Sequence, residues 1–86
     1  KPLAQARMAQ VLLAQSEIEQ ASSVVDQIDP LYADQFSELR GDLFLAQGEQ
    51  EKAREMYSKT LDDVLQRGGS AGALQLKIDN INLVTH

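Results

Sequence analysis

One stretch of this chain is written twice. Leu13-Ala14-Gln15-Ser16-Glu17-Ile18-Glu19-Gln20-Ala21 returns 32 residues later as Leu45-Ala46-Gln47-Gly48-Glu49-Gln50-Glu51-Lys52-Ala53, with six of nine positions identical. A period in the low thirties fits a helical hairpin too small to bury its own apolar side, which must therefore lie against a copy of itself. The repeat predicts an all-α chain of two stacked hairpins, over residues 2–28 and 30–67, with one capping helix over 70–84. Composition agrees. Apolar residues make up 43% of the chain but aromatics only 5%, so Leu, Ile, Val, Ala and Met must fill the space between helices. At 86 residues there is room for a single domain that buries roughly 60–65% of the surface its unfolded chain exposes.

The boundaries follow from local chemistry. Pro2 suits a first helical turn, where its missing N–H is not needed, and a helix follows to about Gln15. Ile18, Ala21, Val24, Val25 and Ile28 recur at three and four residues, the mark of a second helix apolar on one face. Asp29-Pro30 is the clearest break: Asp caps free N–H groups, and Pro both resists continuation and opens the next helix. That third helix is expected from Pro30 to about Gln47, burying Leu31, Phe36, Leu39, Leu43, Phe44 and Leu45. Gly48 fits a left-handed C-cap, and Ser16 occupies the same place in the first copy. A fourth helix from Glu49 to Arg67 turns Ala53, Met56, Tyr57, Leu61, Val64 and Leu65 inward, with Glu55–Lys59 and Asp63–Arg67 pairing on its wet side. Gly68-Gly69 ends it, and Ser70 is expected to cap a fifth helix carrying Leu74, Ile78 and Ile81. Fraying is expected at Val84-Thr85-His86.

Charge and residue inventory exclude several activities. A net charge of −5 with eight scattered Lys and Arg lacks the basic cluster that nucleic-acid binding requires. The acidic excess reads as solubility, with recognition of a basic partner as the rival explanation. No cysteine is present and the one histidine is His86, so nucleophilic and metal-assisted catalysis lack their parts, and no metal or cofactor is expected. Glu38 and Asp42 lie one helical turn apart, which on an open surface reads as solvation rather than as a tuned acid and base. Gly68-Gly69-Ser70-Ala71-Gly72 follows no strand and carries no Lys-Ser/Thr, so it reads as a linker and not as a phosphate loop. The longest apolar runs, Val11–Ala14 and Leu43–Ala46, are four residues each, far short of the roughly 20 that span a membrane. The chain opens on Lys1-Pro2 without an initiator Met, so it is expected to be a piece of a longer protein.

The repeat can be typed. Gly41, Phe44, Gly48, Ala53 and Tyr57 fall at tetratricopeptide spacings, where small residues let paired helices approach and large ones fill the gaps. Ala9, Leu12, Ser16, Ala21 and Val25 hold the same places in the first copy. Both copies lack the motif's bulky early residue.

Leu39-Arg40-Gly41-Asp42-Leu43-Phe44-Leu45-Ala46-Gln47-Gly48, then Ala53-Arg54-Glu55-Met56-Tyr57 and Leu74-Gln75-Leu76-Lys77-Ile78-Asp79-Asn80-Ile81, resemble the C-terminal part of the YfgM-like family, ancillary subunits of the SecYEG translocon. The likeness spans nearly the whole chain. It implies a bacterial inner-membrane protein with a short N-terminal anchor and a periplasmic tetratricopeptide-like domain. Members of that family associate with the translocon and a membrane-bound periplasmic chaperone, and assist exported proteins. The likeness is to the family's C-terminal part, so the anchor and the first part of the repeat array are expected upstream of these residues.

In tetratricopeptide stacks the first helix of each hairpin lines the concave face. That places Leu3, Ala6, Gln10 and Leu13 from one copy, and Gln35, Glu38, Asp42 and Leu45 from the other, along a mildly apolar, acidic groove. The expected ligand is an extended or helical segment of another protein, basic in character, packed across Leu13, Glu38, Asp42 and Leu45. The plainer alternative makes Glu38 and Asp42 an ordinary solvated face. A different function class is self-association: solenoids need about three repeats, and an uncovered end at Leu3, Met8, Leu12 and Ile18 would pair copies of the chain.

Overall fold

The computed structural model describes residues 1–84, so Thr85 and His86, and the fraying expected there, lie outside the described residues. Five α-helices follow in order: α1 Pro2–Ala14, α2 Ile18–Asp26, α3 Ser37–Ala46, α4 Gln50–Gln66 and α5 Gly72–Val84. No strand occurs among the described residues. Helices α1 with α2, and α3 with α4, form antiparallel hairpins, and α5 packs against α4.

The turns that end α1, α3 and α4 are closed by the same device. Ser16, Gly48 and Gly68 have φ of 63°, 80° and 74°. The amides of Glu17, Glu49 and Gly69 reach back to the carbonyls of Leu12, Phe44 and Val64 at 2.8, 2.8 and 2.9 Å. Those of Ser16, Gly48 and Gly68 reach Leu13, Leu45 and Leu65 at 3.0, 3.1 and 3.1 Å. This is the Schellman arrangement, which satisfies the last carbonyls of a helix by placing one residue in the left-handed region. Ser16 alone does so with a Cβ, at a cost of about 1 kcal/mol. Ser16→Gly is therefore expected to stabilise the domain by about 0.5–1 kcal/mol, raising the melting temperature by roughly 4–8 °C per kcal/mol. A calorimetric melt showing no rise would contradict the copying of this turn from one hairpin to the other.

The two hairpins differ where Pro30 intervenes. Helix α4 runs to Gln66, but α2 stops at Asp26, because Pro30 lacks an N–H and its ring would clash with the carbonyl four residues earlier. Asp29 does cap: its Oδ1 accepts from the Leu31 amide at 3.0 Å. Its carbonyl, however, accepts from Tyr32 at 2.9 Å, an i to i+3 bond, so Pro30–Phe36 winds as a 3-10 helix. The expected single helix from Pro30 to Gln47 is thus two elements. Leu31, expected in the core, is 81% exposed on this segment.

The core divides at α3. Ala6, Ala9, Ala21, Val25, Ile28, Leu39 and Leu43 form one buried cluster. Ala53, Tyr57, Leu74, Ile78 and Ile81 form the other, with Phe44 and Leu61 packed against it. One flank of α3 thus serves the first hairpin and the other serves its own. Ala21 and Ala53 are both fully buried, each where its second helix approaches the first. Their neighbours differ by a trade in size: Ala9 stands where the second copy has Gly41, and Val25 where it has Tyr57. A Cβ on Gly41 would lie 2.6 and 2.7 Å from Cε1 and Cδ1 of Tyr57, so the tyrosine ring occupies the space that a side chain at Gly41 would need.

Other expectations are corrected. Leu45 and Leu65, expected inside, are 41% and 58% exposed. Ala6, expected on the concave face, is buried in the first cluster, and Leu12 and Ile18, expected at an uncovered end, pack against it. Ser70 does not cap α5: the Gln75 amide bonds to the Ala71 carbonyl at 2.9 Å, so the helix takes its first carbonyl from Ala71. The Asp63–Arg67 pair forms as expected, at 3.1 Å, although exposed pairs of this kind contribute little.

Candidate functional site

Helices α1 and α3 lie side by side as the first members of their hairpins, and a cavity of about 430 Å3 opens between them. Gln10, Leu13 and Ala14 line it from α1, and Asp42, Leu45 and Ala46 from α3. The repeat explains the pairing, since Gln10 and Asp42, Leu13 and Leu45, and Ala14 and Ala46 are each 32 positions apart. A second, smaller opening of about 90 Å3 is lined by Leu45, Gln50, Asn80 and Ile81, so Leu45 borders both. Four expected groove residues, Gln10, Leu13, Asp42 and Leu45, therefore share one surface. Gln35 does not line it and sits exposed on the 3-10 segment. Glu38 does not line it either.

Asp42 on this surface, and Glu38 beside it, are engaged by a residue that sequence reasoning missed. Lys77 of α5 reaches across, its Nζ donating to Glu38 Oε2 at 2.7 Å and to Asp42 Oδ1 and Oδ2 at 3.1 and 3.4 Å. The Tyr57 hydroxyl donates to the same Asp42 Oδ1. The ammonium also lies 5.5 Å from the centroid of the Tyr57 ring, within reach of a cation–π attraction. One ammonium thus balances one of two carboxylate charges, and the cluster stays net negative. A signal for Lys77 was present: Leu74, Lys77, Ile78 and Ile81 share one helical stripe. A lysine among core-facing positions implies a carboxylate opposite.

The cluster shifts two protonation equilibria in the same sense. Burial raises the Tyr57 phenol far above its ordinary 10.0, and the hydrogen bond and charge of Asp42 add to that. At Lys77 burial works against the charge, but hydrogen bonds to Glu38 and Asp42 and their negative charges outweigh it, leaving the ammonium above its ordinary 10.5. Both groups favour their protonated form in the fold, so their contribution is complete below the ordinary values and is lost as pH rises through the higher folded ones. Base unfolding followed by circular dichroism is expected to set in above about pH 10. The stability gap between wild type and Lys77→Met should narrow as pH climbs. A gap that widens there would contradict the assignment.

Among the described residues, no group of three or more His, Cys, Asp or Glu side chains converges as a metal site would require. No helix among them is long and apolar enough to cross a membrane. What the surface offers is an open trough of Leu13, Ala14, Leu45 and Ala46, with Gln10 and Asp42 as its polar lining.

No curated protein and no solved structure matches the chain. The family described as tetratricopeptide repeat-like domain matches residues 1–83, nearly the entire length. Its match agrees with the paired small residues, the duplicated helix ends and the hairpin stacking. Domains of this kind are protein–protein interaction modules. The chain belongs to the tetratricopeptide repeat-like domain family.

Proposed function

We propose that this chain is the periplasmic partner-binding domain of an ancillary translocon subunit, which holds a segment of a translocon or chaperone component across the trough between α1, α3 and α5. The observation that carries the groove part is the cavity of about 430 Å3 in which Gln10, Leu13, Asp42 and Leu45 meet. The narrower assignment is supported by the resemblance of Leu39–Gly48 and Leu74–Ile81 to the YfgM-like family. Those two strings supply Asp42, Leu45 and Lys77, which are part of the groove and its internal ion pair. The test is photocrosslinking from Gln10, Gln35 and Leu45 in bacterial cell envelopes, with the captured proteins identified. Capture of translocon subunits or a membrane-bound chaperone from Gln10 and Leu45, with Gln35 silent, is expected. Capture of cytosolic proteins alone in whole cells would contradict the assignment.

One observation favours a second reading, self-association. On α3, Leu39 and Leu43 are buried in the cluster shared with α2. The equivalent positions on α1 are Arg7 and Val11, and Val11, Leu3 and Met8 are all more than half exposed. Among the described residues, α1 therefore presents an apolar outer face at Leu3, Met8 and Val11 where α3 has buried leucines. Sedimentation at several concentrations separates the readings: a monomer at all of them removes self-association.

A further inference from the structure

We propose that the outer face of α1 is the seat of one more helix: the second helix of a further hairpin of this kind, joined ahead of Lys1, apolar on one side and carrying a carboxylate beside Arg7. The chain itself makes such a junction twice. The second helix of the first hairpin, α2, lies on α3, and its Val25 shares a buried cluster with Leu39 and Leu43. The second helix of the other hairpin, α4, lies on α5, and its Ala53 and Tyr57 share one with Leu74 and Ile78, which are again four residues apart. On α1 the places of Leu39 and Leu43 are held by Arg7 and Val11, and Val11 is more than half exposed together with Leu3 and Met8. The face that receives a neighbour at both later junctions is thus built on α1 as well, and a hairpin stack buries such a face against the adjoining unit.

Charge narrows the occupant. Lys1 and Arg7 are the only charged side chains in residues 1–16, so α1 holds no acid to set against Arg7. At the α2–α3 junction the second helix brings the acid: Asp26 and Arg40 line one opening, and Arg40 stands next to Leu39, the counterpart of Arg7. A second copy of the chain covers this face less well. Its α2 and α4 already have their apolar sides on α3 and α5. Two α1 faces related by a twofold axis would bring Arg7, midway between Leu3 and Val11, against its own counterpart, and like charges in contact oppose association. Leu3, Met8 and Val11 together also expose far less than the ~800 Å2 per partner of a stable free complex. A helix on a short linker escapes that limit, because it acts at an effective concentration on the order of millimolar.

The experiment adds the neighbour to the full chain. Residues 1–32 are copied once more ahead of Lys1, which keeps the 32-residue register and places a second α2, with its Asp26, before α1 as the first stands before α3. Amide hydrogen exchange at Met8 and Val11 of the original α1 is expected to slow at least about tenfold against the unextended chain. Arg7→Glu at the original position should remove most of that protection, while in the unextended chain the same change, at an exposed site, leaves the melting temperature unchanged. Protection that survives Arg7→Glu would overturn the carboxylate assignment. Exchange at Met8 and Val11 that does not slow, or an extended chain with no more helix by circular dichroism than the unextended one, would overturn the seat itself. Concentration-dependent dimers of the unextended chain that Val11→Lys abolishes would overturn it too, by giving the face to a second copy.

Discussion

Tyr57→Ala is expected to remove about 3–5 kcal/mol of this domain's stability. The ring is fully buried and fills the space between α3 and α4 left open by Gly41. Deleting a buried aromatic side chain costs about 3–5 kcal/mol, because neighbours collapse only partly into the cavity. A chain of this length holds roughly 4–13 kcal/mol in total. The loss is compounded here because the Tyr57 hydroxyl also braces Asp42, and Asp42 in turn receives Lys77 from α5. Tyr57→Phe isolates the two roles. It keeps the ring and one of Asp42's partners, so it should cost only about 0.5–1.5 kcal/mol. Urea unfolding of both variants checks this, and a Tyr57→Ala protein as stable as Tyr57→Phe would show that the ring does not hold the second hairpin together.

Ile81→Ala should cost about 2–5 kcal/mol, and its effect should be uneven along the chain. Ile81 is 2% exposed and belongs to the cluster of Ala53, Tyr57, Leu74 and Ile78. Among the described residues, the first cluster contains none from α5. Losing the α5 anchor therefore strips the cover from α4 first, while α1 and α2 keep theirs. Amide hydrogen exchange is expected to accelerate in α5 and the facing side of α4 at denaturant concentrations where Ala9 and Ala21 remain protected. Uniform acceleration through both hairpins would mean that the core is one cooperative unit and not two joined at α3.

The sequence carried the repeat, the helix ends and the paired alanines because these depend on residues close in the chain. Gly48 and its counterpart Ser16 announced a left-handed turn and adopt it, and Gly68, expected only to end the fourth helix, takes the same conformation. What it could not reveal came from distance or from a single competing residue. Lys77 meets Glu38 and Asp42 across more than thirty positions, a contact set by how α5 settles on α4. The two carboxylates expected to make the groove acidic share that one ammonium. Pro30 turned the expected start of α3 into a 3-10 segment and carried Leu31 out to solvent, overriding its apolar character. Leu45 is exposed although its sequence neighbours suggested burial, because its face of α3 is the one that opens onto the trough. Four of the six expected groove residues share that trough. Gln35 misses it because it lies on the 3-10 segment, while Glu38 is drawn to Lys77.

The central claim is that the two hairpins are copies whose cores trade size, Ala9 and Val25 in one for Gly41 and Tyr57 in the other. A double-mutant cycle tests it most directly. Gly41→Ala, which drives a methyl into the Tyr57 ring, should cost about 1–3 kcal/mol, and Tyr57→Val about 2–4 kcal/mol through the cavity it leaves. The two together rebuild the first hairpin's pair inside the second. The account predicts a combined cost at least about 1 kcal/mol below the sum of the singles, as for residues in direct contact. Costs that add to within about 0.5 kcal/mol would show that the two sites are independent, and the duplication of the packing would be contradicted.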